Sequence, residues 1–185
     1  MSDGQPLETE IKLRLPSLEG WGTRLESAGF RRMAAPALET SVLWDRQGEL
    51  RRSGSALRLR RFAGTATLTW KGPRREDPRY KIRPELETAL QNPEAMAGIL
   101  GALGFAPVMS LEKQRGVWRR GDLLICLDEA PFGCFLELEG PPEALPRALR
   151  ELDLEAYPVE SRSYPELQEA HGSPAPGVAF PSTEG

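Results

Sequence analysis

The sequence predicts an α+β protein whose body is mostly antiparallel strand, with helices packed against it. Three observations lead there. Glu8-Thr9-Glu10-Ile11-Lys12 places a charged residue at every second position, and Leu7, Thr9, Ile11 and Leu13 fill the gaps. Side chains of a strand alternate faces with period two, so one face is charged and the other aliphatic or β-branched. The same alternation recurs in several later stretches, as in Leu57/Leu59 against Arg58/Arg60 and Leu136/Leu138 against Glu137/Glu139. Finally, three helical patterns with apolar stripes interrupt the strands, and each stripe must be buried against the apolar face of a sheet.

Taken in order, the first strand covers residues 7–15 and stops at Pro16. Ser17 is expected to cap a helix over 18–28, where Leu18, Trp21, Leu25 and Ala28 recur at helical spacing and Gly29 closes the helix. Residues 30–45 read as extended, interrupted at Pro36, and 46–48 as a turn. Strands follow at 55–62 and 65–71, joined at Ala63-Gly64, and then a charged loop over 72–78. The next strand, 79–88, carries Lys81, Arg83, Glu85 and Glu87 on one face, with Pro84 demanding an edge or a bulge. Asn92 caps a second helix over 93–103, striped by Met96, Ile99, Leu100 and Leu103 and ended by Gly104. Gly29-Phe30 and Gly104-Phe105 both lead from a helix into strands, which suggests two similar halves. Strands at 108–119, 122–128 and 134–140 come next, then a third helix at 143–152 and a short one capped by Ser163 and ending near Ala170. One domain over 1–170 is expected, followed by a disordered, Gly-, Pro- and Ser-rich tail over 171–185.

The 24 basic and 27 acidic residues leave a net charge of −3, so binding to nucleic acid through bulk charge is not expected. No window approaches the roughly 18 apolar residues of a membrane span, and the N-terminus lacks a secretory pattern. A soluble, cytoplasmic protein is expected, without nucleic-acid or membrane partners. Cys126 and Cys134 lack metal-ligand spacing and are expected to be core thiols. The single histidine, His171, falls at the start of the tail, so neither catalysis nor metal binding by histidine is expected.

The charged faces admit two architectures. In one they meet water and the aliphatic faces cover a core, as in most antiparallel sheets. In the other the strands close into a barrel with the charges inside and the aliphatic faces under helices. Like charges sit together within strands, which a solvated face avoids because such neighbours repel. The helices, moreover, claim the aliphatic faces. Both points favour the barrel with a polar lumen. Its acids would be Glu8, Glu10, Glu85, Glu87, Asp128, Glu137 and Glu139; its bases Lys12, Arg58, Arg60, Lys71, Lys81, Arg83, Lys113 and Arg115. Arg and Lys suit phosphate oxygens, and clustered carboxylates suit Mg²⁺ or Mn²⁺. Together they fit a triphosphate with its metal. Gly101-Ala102-Leu103-Gly104 lacks the Gly-Lys-Ser/Thr ending of a phosphate-binding P-loop.

These residues resemble the CYTH domain, or triphosphate tunnel metalloenzyme, superfamily, which includes class IV adenylyl cyclases, thiamine triphosphatases and inorganic triphosphatases. The resemblance rests on Glu8-x-Glu10-x-Lys12, Leu43-Trp44-Asp45, Leu57-Arg58-Leu59-Arg60, Thr69-x-Lys71-Gly72-Pro73, Arg83-x-Glu85-x-Glu87, Lys113-x-Arg115, Asp128, Gly133, Glu137-Leu138-Glu139, and Ser163-Tyr164 with Glu166 and Leu167. Trp44-Asp45-Arg46 stands where the family often has Tyr-Asp-Thr. The resemblance implies an eight-stranded, mostly antiparallel closed barrel, a tunnel flanked by helices. It implies metal on Glu8, Glu10, Asp128, Glu137 and Glu139, and phosphate on Arg58, Arg60, Lys71, Arg83, Lys113 and Arg115. Lys12 would lie near the reacting phosphate, and Glu85 and Glu87 would orient water or help a second metal. The implied function is metal-dependent hydrolysis of a triphosphate (inorganic tripolyphosphate, thiamine triphosphate or a nucleoside triphosphate) by a monomer or homodimer. The alternatives are an adenylyl cyclase making cyclic AMP and pyrophosphate from ATP, and a non-catalytic polyphosphate-binding module.

Overall fold

The computed structural model describes residues 6–172. Eight strands form it: β1 (Leu7–Leu15), β2 (Arg31–Asp45), β3 (Ala56–Phe62), β4 (Thr65–Lys71), β5 (Lys81–Leu90), β6 (Ala106–Arg120), β7 (Leu123–Ala130) and β8 (Gly133–Glu139). They close into one barrel in the order β1-β5-β4-β3-β2-β6-β7-β8, and every neighbouring pair is antiparallel. Among the described residues the helices are α1 (Trp21–Ser27), α2 (Glu49–Arg52), α3 (Pro93–Ala102), α4 (Leu145–Glu151) and α5 (Tyr164–His171), with a 3₁₀ turn at Leu154–Ala156. None is long and apolar enough to cross a membrane.

Alternation decides what faces where. Ile11, Leu13 and Leu15 of β1, Ile125 and Leu127 of β7, and Leu136 and Leu138 of β8 point outward into one apolar core. Trp21 and Leu25 of α1 and Leu145, Ala148 and Leu149 of α4 complete it. A smaller core joins Val42, Trp44 and Leu59 to Leu100 of α3, with Met96 packed beside them. Burying each large aliphatic side chain contributes about 1.5–3 kcal/mol, so these outer cores hold the barrel closed. The opposite faces, the charged ones, are turned into the lumen.

The expected duplication is visible in the backbone. β1-α1-β2 and β5-α3-β6 run alike; β1 pairs with β5 and β2 with β6. Both helices end identically. Gly29 and Gly104 have φ of 82° and 83°, the left-handed region that favours glycine. The next amide, Phe30 or Phe105, donates back to the carbonyl of Leu25 or Leu100 at 3.0 and 2.9 Å.

Pro84 sits at a handover. β5 pairs with β4 from Glu85 onward and with β1 up to Pro84. The Pro84 carbonyl accepts from the Gly72 amide at 2.8 Å, and the Glu85 amide donates across to Pro6. The donor that proline lacks would point to where β4 has already ended, so no ladder bond is lost. Gly72 is fitted to this join: a Cβ there would come within 2.9 Å of the Trp70 ring and 3.3 Å of the Pro84 ring.

Several local expectations need correction. Ser17 does not cap α1; its hydroxyl accepts from the Glu19 amide at 3.0 Å, and the helix starts later, at Trp21, after Gly20 in the left-handed region. The 46–54 stretch contains a short helix, α2, whose Leu50 and Arg51 amides donate to the Asp45 carboxylate. The last helix runs through His171 to Gly172, so the tail does not begin at 171; residues 173–185 lie outside the described residues. Both thiols are free, but Cys126 lines the lumen instead of the outer core. Burial pushes its pKa up to about 12.

Candidate functional site: the barrel lumen

The lumen is a cavity of about 1220 Å³. Every acid and base that the sequence assigns to the lumen lines it except Asp128, which lies behind Arg115 with no exposed surface. The ring order sorts the charges. β7, β8 and β1 are consecutive and carry Asp128, Glu137, Glu139, Glu8 and Glu10, an acidic wall with Lys12 as its cation. β5, next to β1, then β4 and β3 are also consecutive and carry Arg83, Lys71, Arg58 and Arg60, with Glu85 and Glu87 of β5 among them. β6 adds Lys113 and Arg115.

At one end, carboxylates crowd together. The registers place Glu10 opposite Glu139 and Lys71 opposite Glu85. Lys71 Nζ lies 2.8 Å from Glu8 Oε1 and 2.7 Å from Glu85 Oε2, and Arg83 Nε donates to Glu8 Oε2 at 3.2 Å. Burial pushes the Glu8 pKa up, but Lys71 and Arg83 outweigh it and hold the group at about 2. Glu139 has no ion-pair partner among the described residues. Burial, then Glu8, Glu85 and Glu10, push its pKa up to about 7. Glu85 is raised as well, first by burial and then by its contact with Glu8.

Elsewhere the pairs are saturated. Asp128 accepts from Arg115 Nε at 2.6 Å and Arg115 Nη2 at 2.5 Å, from Lys113 at 3.1 Å and from the Tyr164 hydroxyl at 2.5 Å. Arg115 Nη2 also donates to Glu137 at 2.6 Å. Lys12 Nζ lies 3.3 Å from Glu137 Oε1 and donates to the Arg162 carbonyl. Burial lowers the Lys12 pKa, and Glu137 resists that change. Glu87 accepts from Thr69 at 2.6 Å and from Arg60 at 3.2 Å. Arg58 is the contrast: its nearest carboxylate oxygen, on Glu87, is 4.0 Å away, and its buried Nε has no hydrogen-bond partner.

Sequence reasoning missed Glu39, which is 3% exposed and faces Arg60, Lys113 and Arg115 at 3.5–3.8 Å. Burial raises its pKa, yet Arg115 and Lys113 bring it to about 2. Glu39 stands alone between Leu38 and Thr40, without the paired charges that flag the other strands. Lys81 was grouped with the charged faces but given no role; it sits 3.5 Å from Glu10 and donates to the Arg162 carbonyl at 3.0 Å. Residues 158–160 run beside β1, where the Arg14 amide donates to Pro158 and the Glu160 amide to Lys12. From there α5 crosses toward β6, and Gln168 donates to the Ser110 carbonyl at 2.8 Å. Phe132, Tyr164, Arg74 and Arg51 therefore reach the lumen from outside the strands.

A closed antiparallel barrel with an acid wall facing a basic wall defines a tunnel protein with an ionic lumen. The model of the CYTH domain matches residues 6–163, and the chain belongs to that family. A Methanocaldococcus jannaschii protein named "Putative adenylate cyclase" is 30% identical over 134 residues, covering 72% of this chain and 76% of the relative. Among solved structures, a Pyrococcus horikoshii protein is 26% identical with a TM-score of 0.72, over 89% of this chain and 99% of its own. A Hippeastrum protein described as having a dominant triphosphatase activity has a TM-score of 0.65 at 24% identity, over 89% of this chain and 96% of its own. The last likeness shows the shared fold.

Proposed function

We propose that the protein hydrolyses a triphosphate in a reaction that depends on Mg²⁺ or Mn²⁺. The observation that carries this reading is the incompletely partnered basic wall across from a carboxylate cluster with surplus negative charge. Arg58, with its Nε unpartnered, is a donor awaiting an anion. Arg60, Lys71, Arg83 and Lys113 stand with it along the polyphosphate, and Arg115, whose donors are engaged by Asp128 and Glu137, contributes its charge.

Among the described residues, no group of three or more His, Cys, Asp or Glu side chains is already drawn together around a metal position. The donor set fits a hard cation nonetheless. Glu8, Glu10 and Glu139 are oxygen ligands at adjoining register positions, and Glu139, its pKa pushed up to about 7 by burial and then by Glu8, Glu85 and Glu10, has no cation paired with it among the described residues. We assign the metal to these three. Glu8 and Glu10 also pair with Lys71, Arg83 and Lys81, at 2.8–3.5 Å, whereas Glu137 and Asp128 are engaged more closely by Arg115, at 2.5–2.6 Å, and hold that guanidinium. Bound there, Mg²⁺ or Mn²⁺ supplies charge neutralisation at the phosphoryl oxygens and a position for water.

The chain's own groups do the rest. Lys12 stabilises charge on the terminal phosphoryl group. Glu85, whose pKa burial raises, accepts the proton of the attacking water as the water oxygen bonds to the terminal phosphorus and the bridging P–O bond breaks, its electron pair leaving on the bridging oxygen. Glu87, tied to Thr69 and Arg60, positions that arginine.

The test offers tripolyphosphate, thiamine triphosphate and ATP with Mg²⁺ or Mn²⁺, and measures phosphate release and cyclic AMP. Phosphate release that stops with EDTA, and that Glu10→Gln abolishes without unfolding the protein, is expected. Cyclic AMP and pyrophosphate from ATP would establish cyclisation instead, the reading that the name of the 30%-identical relative favours. Tight binding of polyphosphate without turnover would mark a binding module.

A further inference from the structure

Tyr164 enters the lumen from α5, not from the barrel. The ring has two ammonium groups on it: Lys12 Nζ lies 3.6 Å and Lys113 Nζ 4.0 Å from its centroid. Its hydroxyl donates to Asp128 Oδ2 at 2.5 Å, the oxygen that Lys113 and Arg115 also contact. The rings of Phe135 and Phe132 pack against it, with centroids 5.5 and 5.9 Å away. Lys12 is 2% exposed and Lys113 8%, so neither ammonium group has much water to solvate it. Two poorly solvated ammonium groups brought to one ring need a compensating attraction. An aromatic face, negative at its centre, attracts both.

The helix that carries Tyr164 is fastened by contacts other than those of the Tyr164 side chain. The Ser163 hydroxyl and amide both meet the Glu166 carboxylate, Glu166 also accepts from Arg74 at 3.1 Å, and Gln168 reaches β6. Tyr164 is therefore a fixed platform against which flexible lysine side chains are set.

We infer that Tyr164 is a positioning residue: its ring holds the ammonium groups of both Lys12 and Lys113, the lysines that the proposed hydrolysis sets on the polyphosphate. This deepens the proposed hydrolysis and rests on it for the identity of the ligand; the placement of the lysines rests on the geometry alone. The ring carries this role, while the hydroxyl serves Asp128.

Two variants separate those parts. Tyr164→Phe keeps the ring and loses the hydroxyl; Tyr164→Leu keeps an apolar side chain and loses the ring. With tripolyphosphate and Mn²⁺, Tyr164→Phe is expected within about threefold of wild-type kcat. Tyr164→Leu is expected to lose on the order of 100-fold in kcat, the scale of an ångström-level misplacement, with KM changed much less. A second readout needs no turnover. Over a ring face, the εCH₂ proton resonances of Lys12 and Lys113, assigned through Lys12→Arg and Lys113→Arg, are shifted upfield by the ring current. They are expected to stay shifted in Tyr164→Phe and to relax in Tyr164→Leu. Unshifted resonances in the wild type, or equal loss of kcat in both variants, would overturn the inference. If the wild type turns over no triphosphate, the proposed hydrolysis fails and the resonances still decide the role of Tyr164.

Discussion

Replacing Glu139 by Gln should stabilise the metal-free protein above neutral pH. Glu139 is held among Glu8, Glu85 and Glu10 in a poorly solvated part of the lumen, and its pKa rises from 4.5 to about 7. Between those values the folded state binds a proton that the unfolded state releases, so stability falls as pH rises through that window. The full difference corresponds to about 3 kcal/mol. Lumen water screens part of it, so a gain of about 1–3 kcal/mol is expected for Glu139→Gln at pH 8, most of it absent at pH 5. Urea unfolding at the two pH values, with EDTA present, measures this. In melting temperature the gain amounts to several degrees at about 2–4 °C per kcal/mol. Adding Mn²⁺ should then raise the stability of the wild type more than that of the variant, because the cation relieves the same repulsion. Equal stability of the two proteins at pH 8, or the same gain at pH 5, would refute the carboxylate cluster as described.

Arg58→Ala should separate binding from stability. With its nearest carboxylate oxygen 4.0 Å away, its loss should cost under about 1 kcal/mol in urea unfolding, while calorimetry should show tripolyphosphate binding weakened by roughly 10- to 100-fold. The reverse pattern would make Arg58 a structural cation. Asp128→Asn should do the opposite, destabilising the fold by about 3–5 kcal/mol by leaving the Arg115 guanidinium, 6% exposed, without its bidentate partner; a loss under about 1 kcal/mol would contradict the saturated network around it.

What the sequence showed of this protein follows from the period of a strand. Two residues per repeat put Glu8, Glu10 and Lys12 on one face whatever else the chain does, and the segregation of Arg58 with Arg60 and of Glu137 with Glu139 made a solvated face unattractive. Closure could be argued because three helical stripes needed aliphatic faces to cover. Glu39 was illegible because nothing within β2 marks it; its partners arrive only when β2 pairs with β6 and places Lys113 directly opposite. Tyr164 stood out only as part of the resemblance, without a place in the lumen; its entry depends on how the chain after α4 lies along β1, through the bridge between Leu13 and Val159. The short helix α2 was missed because its four residues have no apolar periodicity, and it forms on the Asp45 carboxylate that accepts its first amides.

The duplicated topology sharpens the charge pattern. In a barrel built from two like halves, β3 and β4 correspond to β7 and β8. Had β7 and β8 kept the arginines and lysine of β3 and β4, the lumen would carry a large surplus of positive charge, and each unpaired buried ion would cost several kcal/mol. Instead Arg58, Arg60 and Lys71 occupy β3 and β4, whereas Asp128, Glu137 and Glu139 occupy β7 and β8. Arg115 of β6 pairs with Asp128 and Glu137 of its own half and with Glu39 of the other. The two places where neutralisation is incomplete, Arg58 and Glu139, have opposite signs. An anion at the first and a cation at the second would complete both walls at once. A polyphosphate carrying its own divalent metal supplies both.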